Sequence, residues 1–234
     1  MSAVISYRGS DEVIILTDGA VYDEDHRLLT VERKVTISDK APLAIASRGN
    51  KPCTDLLERK IIEACERWGV DDGLDAIRDS LPQWAEMLPK NDFKFKAQLL
   101  IAGFSESLGA QHWFMQTEDG PDLPAFELHD VTGSIYYGIN GPAANCIADG
   151  RIRRPWPGEA PFDYFRTVGV DIMQLAREQK TTSRWWPGSA HLVGGQIDMT
   201  VISARGSQVA TIHRWDDKVG EKINPFSGFR KVLQ

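Results

Sequence analysis

Four residues within the first fifty have types and spacings suited to hydrolytic chemistry: Ser2, Asp18, Lys34 and Gly49. Removal of Met1 would leave Ser2 with a hydroxyl and a free α-amine on the same residue. A serine hydroxyl is a weak nucleophile and needs an adjacent base. An α-amine, with an ordinary pKa of about 7.7–8.0, suits that task near neutral pH. A lysine side chain, at about 10.4, keeps its proton there, so Lys34 is better cast as a fixed positive charge. That charge favours the neutral amine and the ionising hydroxyl. Asp18 would orient Lys34 and offset its charge, because a buried lysine is costly without a partner. The Gly49 N–H is placed to bind a tetrahedral oxyanion, a role typically worth on the order of 10²–10³ in rate.

These residues must be positioned by strands. Ala3, Ile5 and Tyr7 alternate with Ser2, Val4, Ser6 and Arg8, the period of a half-buried strand. Gly9-Ser10-Asp11 is a turn signal, and Val13 to Leu16 is an apolar run fit for a strand covered on both faces. A three-residue loop would set Arg8 opposite Glu12 and Ser2 opposite Asp18. Val35 to Ser38 is β-branched and strand-like, with Lys34 at its entrance. Pro42 to Ser47 forms a fourth strand running into Arg48-Gly49-Asn50, and the stretch Ile45 to Arg48 would line a pocket. Singly, each candidate is ordinary: Ser commonly follows the initiator, Thr17-Asp18-Gly19 is turn chemistry, and Lys34 stands beside Glu32 and Arg33. It is the combination that points to a site.

The combination resembles the proteasome β-subunit family and its bacterial relative, the proteasome-like peptidase of an ATP-dependent protease. That family opens on a mature N-terminal Thr, with an Asp sixteen and a Lys thirty-two residues later. Asp18 and Lys34 stand at those distances from Ser2 without a gap. The family's Gly pair before the first helix corresponds to Gly49, with Asn50 in place of the second glycine. Gly138-Ile139-Asn140-Gly141-Pro142 resembles a family Gly-Ser-Gly-Gly-Pro segment, and Gly194-Gly195 the Gly-Gly before a late strand. The resemblance implies an α+β fold, a four-layer αββα sandwich of the N-terminal nucleophile hydrolase type with mainly antiparallel sheets. The implied activity is peptide or amide hydrolysis, with Ser2, Asp18, Lys34 and Gly49 as the catalytic set. The implied assembly is a ring or other homo-oligomer that sequesters its sites, with an ATP-driven unfoldase as a possible partner.

The likeness thins through the middle of the chain and is poor from about Cys146 to Ala190. The family places a supporting Asp and Ser, three apart, before the Gly-Gly; Ala190 and Val193 stand there, and Ile139 replaces the serine of the earlier segment. Ser189, His191 and Asn140 are the nearby polar substitutes. These departures keep two rival readings open. One is a proteasome-fold protein without activity that serves as an assembly component, for example of a phage or prophage particle. The other is a small-molecule amidase.

Two helices follow the strands. The apolar stripe Leu57, Ile61, Ala64, Trp68 marks a helix over 55–68, capped by Thr54 or Asp55. Leu74, Ile77, Leu81, Trp84 and Leu88 mark a second, capped by Asp71 or Asp72, kinked at Pro82 and stopped by Pro89. Further strands are expected over 96–104, 111–116, 125–129 and 134–140, a helix over 162–178, and a final hairpin over 196–203 and 208–213. Arg151 to Arg154, and Arg184-Trp185-Trp186, read as loops. Gly103 to Ser107 fails as a nucleophile elbow, because Ser107 stands where glycine is needed and no helix follows.

Composition narrows the function classes. With 234 residues and 42% apolar content, the chain can bury a substantial core as a single domain. A net charge of −6 gives no electrostatic case for nucleic acid or an anionic membrane. No apolar run approaches a transmembrane length, and no basic region followed by an apolar stretch marks a secretory signal. Cys53, Cys65 and Cys146 show no framework spacing, which fits free thiols in a reducing cytoplasm. The five histidines lack metal-ligand spacing, Asp23-Glu24-Asp25 lacks a calcium-loop pattern, and no glycine loop cradles phosphate. No cofactor or metal is therefore expected.

Overall fold

A computed structural model describes residues 3–88, 95–120, 123–133, 135–138, 145–182 and 188–226. The chain is a mixed α+β protein built mostly of antiparallel strands. It opens with β1 (Val4–Arg8), β2 (Glu12–Asp18) and a small hairpin of β3 (Ala20–Tyr22) and β4 (Leu28–Val31). Next come β5 (Val35–Ile37), β6 (Leu43–Gly49), α1 (Lys51–Trp68) and α2 (Val70–Met87). β7 (Ala97–Ser105), β8 (Gly109–Gln116), β9 (His129–Asp130) and β10 (Ile135–Tyr137) follow. The chain continues through α3 (Pro161–Arg177), β11 (Lys180–Thr182), β12 (Ser189–His191), β13 (Gln196–Ser203) and β14 (Gly206–Arg214).

Two five-stranded antiparallel sheets carry the architecture. The first has the order β10-β1-β2-β13-β14, the second β5-β6-β7-β8-β9. Strand alternation sorts the core into separate clusters. Leu43, Ile45, Leu99, Ile101 and Met115 of the second sheet pack on Leu57, Ile61, Leu74 and Ile77 of α1 and α2. Ile5, Ile14, Leu16, Ile197 and Met199 of the first sheet pack on Phe165, Val168 and Ile172 of α3. A third cluster joins Val4, Val13, Ile15 and Ile202 of the first sheet to Val35, Ala44, Ala46, Leu100 and Ala102 of the second. The apolar run Val13 to Leu16 is continuous because odd and even residues enter different clusters.

Several local expectations are corrected. α1 begins at Lys51, not 55: Asn50 caps it by accepting the Cys53 N–H, and Pro52 sits in the first turn. α2 starts directly after Gly69 rather than behind an aspartate cap, and runs through Pro82 without interruption. The strand expected over 125–129 shrinks to His129–Asp130, since Phe126 adopts a left-handed φ of 56° that breaks an extended run. The hairpins β3–β4 and β11–β12 were not anticipated. Pro89, Ser134 and the Trp185-Trp186 pair lie outside the described residues. No helix among the described residues is long and apolar enough to cross a membrane.

Polar groups also join the two sheets. Ser6 of β1 and His112 of β8 are both buried, with Ser6 Oγ 3.2 Å from His112 Nδ1. His112 Nε2 lies 2.8 Å from the Gly133 carbonyl, which can only accept, so Nε2 carries the proton and Nδ1 accepts from Ser6. Burial is the main cause lowering the His112 pKa; the Gly133 contact works against it. The folded chain therefore binds fewer protons here than the unfolded chain. This contribution to stability is complete well above the ordinary histidine value of about 6.5 and is lost as the pH falls below it. Urea denaturation is expected to show lower stability at about pH 5 than at about pH 7, with a shallower fall for His112→Gln. His213, also lowered by burial, supplies a share of the slope that this variant leaves in place.

Candidate functional site

The ends of β1, β2 and β6 meet at one end of the two sheets, and the turn after β1 decides how. Gly9 N–H bonds the Glu12 carbonyl at 2.9 Å, closing a turn one residue longer than expected. Arg8 consequently pairs with Val13, not Glu12, and the whole hairpin slips by one. Asp18 then lies across from Ala3 rather than Ser2: its N–H bonds the Ala3 carbonyl at 3.3 Å, and its Oδ1 accepts the Ala3 N–H at 2.8 Å. Met1 and Ser2 lie outside the described residues. The backbone of the residue following Ser2 is thus fixed directly by the Asp18 carboxylate.

Asp18 is fully buried and its carboxylate is densely bonded. Lys34 Nζ stands 3.1 Å from both oxygens. Oδ2 also accepts the N–H groups of Ala20 at 3.2 Å and Gly194 at 3.4 Å. Counting Ala3, three backbone amides and one ammonium converge on this group. Lys34 lies just before β5 of the second sheet, whereas Asp18 ends β2 of the first. The ion pair therefore ties the two sheets together at their open end. Its lysine side chain keeps 11% exposure, so the ammonium is nearly withdrawn from water.

Gly49 ends β6 on the second sheet with φ +135°, and a Cβ there would sit 2.1 Å from the Lys96 carbonyl oxygen. Only glycine fits that backbone. Asn50, the substitute for the family's second glycine, spends its side chain on capping α1. Glu58 of α1 holds the same corner: its Oε2 accepts the Thr36 hydroxyl at 2.6 Å. Burial pushes the Glu58 carboxyl up, while hydrogen bonds from Ser47 and Thr36 pull it back.

Behind Asp18 lies a second buried ion pair that the sequence did not reveal. Arg177, at the end of α3, bonds Asp217 and the Val193 carbonyl, and Asp217 Oδ2 accepts the Gly195 N–H at 2.8 Å. This pair clamps the Gly194-Gly195 corner so that the Gly194 amide reaches Asp18. A Cβ on Gly194 would meet Asp217 Oδ2 at 2.7 Å and Arg177 Nη1 at 2.8 Å, so the clamp needs glycine. Val193 is buried in the α3 cluster and Ala190 packs with Tyr22, Leu28 and Leu192, so neither supplies a polar side chain. Of the substitutes considered, Ser189 is exposed, His191 Nδ1 bonds the Arg177 carbonyl at 3.1 Å, and Asn140 and Ile139 lie outside the described residues.

A narrow cleft opens between the sheets beside this site. It is lined by Val4 and Thr17 from the first sheet and by Ala46, Ser47, Arg48, Gln98, Leu100 and Phe114 from the second. The cysteines do not compete as nucleophiles: all three are buried and free, and burial pushes the Cys53 and Cys65 thiols up to about 11 and about 12. Among the described residues, no three His, Cys, Asp or Glu side chains converge as a metal-binding group.

No protein-family model matches the chain, and no curated protein matches it. Among solved structures, Anbu (ancestral beta-subunit) from Yersinia bercovieri aligns with a TM-score of 0.58 over 93% of this chain and 89% of its own. The two are 15% identical in sequence. At that identity the likeness shows a proteasome-like fold and leaves the activity open.

The ion pair makes a direct prediction. Asp18→Asn strands a buried ammonium and is expected to lower stability by about 3–5 kcal/mol in chemical denaturation. Lys34→Met costs less, because three amides still hold the carboxylate. The double variant Asp18→Asn/Lys34→Met recovers part of the Asp18→Asn loss; strict additivity of the two single effects would contradict the pairing.

Proposed function

We propose that this chain is an N-terminal nucleophile hydrolase that cleaves amide bonds, with peptides as the leading substrates, through Ser2 after removal of Met1. The observation that carries this reading is the double hold of Asp18. One carboxylate grips the amide of Ala3, next to Ser2, and the ammonium of Lys34. That arrangement brings a fixed positive charge close to the start of β1, where a free α-amine must stay neutral to act as a base.

The reaction then runs in two balanced halves. The Ser2 Oγ attacks the carbonyl carbon while its proton passes to the α-amine. The Gly49 N–H stabilises the oxyanion. Collapse breaks the C–N bond, the α-ammonium returns its proton to the leaving amine, and an ester remains on Ser2. Water adds to the ester, the α-amine takes the water's proton, and the acid leaves as the Ser2 hydroxyl is restored. In this reading the three core clusters are the seams of a four-layer αββα sandwich, and the chain works in the cytoplasm as a homo-oligomer such as a ring, supplied by an ATP-driven unfoldase.

A second reading has its own support. Val193 and Ala190 place apolar side chains where the resembled family supports its nucleophile, which fits a fold kept as an assembly component without activity. Intact mass before and after a β-lactone probe separates the two. The hydrolase reading expects loss of Met1 and one adduct on Ser2. It also expects Ser2→Ala to abolish amide hydrolysis with thermal stability nearly unchanged. Retained Met1, or a free Ser2 that never reacts, overturns it in favour of the assembly role.

A further inference from the structure

Residues 215–226, after β14, form neither helix nor strand, yet they lie across the back of the Asp18 site as a strap. Beyond Trp215 most of the strap's side chains are exposed, and three residues turn inward: Asp217, Ile223 and Pro225. The Asp217 carboxylate accepts from Arg177 of α3 and from the Gly195 N–H. Ile223 packs with Tyr22, Leu28 and Leu192, and its Cδ1 lies 2.6 Å from where a Cβ on Gly194 would stand. The strap backbone also pairs with β4. The Leu28 N–H donates to the Glu221 carbonyl at 2.9 Å, and the Gly220 N–H to the Leu28 carbonyl at 2.8 Å.

These attachments fall on one side of the Asp18 carboxylate. Oδ1 accepts the Ala3 N–H, which belongs to the start of the chain and does not touch the strap. The two amides on Oδ2 come from Ala20 and Gly194. Ala20 opens the hairpin that the strap pairs with and packs in the cluster of Ile223. Gly194 lies under Ile223 and beside Asp217. Both backbone donors to Oδ2 therefore depend on the strap.

The docked strap is also imperfectly satisfied. Tyr22 Oη and Arg177 Nε are buried beside it, and neither has a hydrogen-bond partner among the described residues. A buried polar atom without a partner costs free energy that water returns when the site opens. Docking gains from the Asp217 pair and the Ile223 side chain, and loses at these two atoms. Such a balance belongs to an element that opens locally, ahead of the sheets.

We infer that residues 215–226 are a releasable strap that governs the Asp18 site. Docked, the strap completes the amide set around Oδ2. Released, it loosens both of those amides and lets the carboxylate turn against Ala3, the residue next to Ser2.

Hydrogen exchange of the full chain, followed amide by amide by NMR, tests this. In the wild type the amides of Leu28, Gly220, Gly195, Gly194 and Ala20 are expected to exchange through one opening, with protection at least ~100-fold below that of Leu99 and Ile101 in β7. Ile223→Ala should lower the protection of all five by at least ~10-fold and leave β7 unchanged. Tyr22→Phe removes an unpartnered hydroxyl and should raise it by about 3-fold or more, the opposite sign. Two results overturn the inference. One is Gly220 exchanging faster in Ile223→Ala while Gly194 and Ala20 do not, which makes the strap an appendage. The other is exchange of all five amides only with global unfolding. The wild-type measurement needs no variant, so the inference can still be refuted if Ile223→Ala does not fold.

That release slows chemistry at Ser2 rests on the hydrolase reading, and it is read separately as the rate of β-lactone adduct formation. Ile223→Ala is expected to react more slowly than the wild type. An unchanged rate despite loosened exchange overturns the strap's hold on the site and leaves the hydrolase reading standing. No adduct in the wild type, together with the expected exchange pattern, does the reverse.

Discussion

A fully buried carboxylate is the constraint on which the site depends. Asp18 cannot stay ionised in the interior without compensation, and the chain supplies it from four directions: the Ala3 amide just before β1, the Ala20 amide that opens β3, the ammonium entering the second sheet, and the glycine corner before β13. Each donor comes from a different stretch of chain. Satisfying one carboxylate therefore sets the relative position of β1, β2, β5 and β13. The Ser6–His112 bond joins the same sheets through a neutral pair, and the apolar cluster between them fills the remaining space. Solvation of one anion thus does the positioning that loops alone would leave loose.

The second ion pair extends this logic. Asp217 lies forty residues beyond Arg177 yet pairs with it in the interior, and together they hold the Gly195 amide and the Val193 carbonyl. The Gly194 amide can bond Asp18 because this clamp fixes the corner. Arg177 also stacks on Trp215, which covers its charge from water. The absence of polar side chains at Ala190 and Val193 is thereby met with backbone groups. A backbone N–H can orient a carboxylate as well as a side chain can, but it cannot move a proton.

How far the site was legible in the sequence follows from what each signal encodes. The distances from Ser2 to Asp18 and Lys34 needed only counting. The hairpin register did not survive contact with the structure, because the continuous apolar run of β2 has no two-residue phase to fix it and the turn length decided the outcome. The same slip preserved the geometry that matters, since Asp18 holds the next backbone amide instead of facing Ser2. The helix start was misplaced although its signal was present: Asn50 followed by Pro52 is a cap and first-turn pattern, overshadowed by the apolar stripe that begins later. Arg177 and Asp217 could not be paired by inspection. An arginine in the last turn of an amphipathic helix is ordinarily solvated, and only the folded path of the following segment brings Asp217 back over it.

The buried Asp18–Lys34 pair bears on the choice between a working site and an inherited shell. Replacing a buried ion pair by apolar residues of similar shape is often neutral or stabilising, because desolvation consumes most of the Coulombic gain. The tie between the sheets gives the pair a structural use, but apolar residues of matching shape would join them at no greater cost. A lysine at 11% exposure, beside the strand that begins next to Ser2, is costly to bury, and the proposed hydrolase gives its charge a use in holding an amine neutral. The cost of the pair thus has two offsets, the tie it makes between the sheets and the charge it supplies to the proposed hydrolase, and the geometry of Asp18 serves both at once.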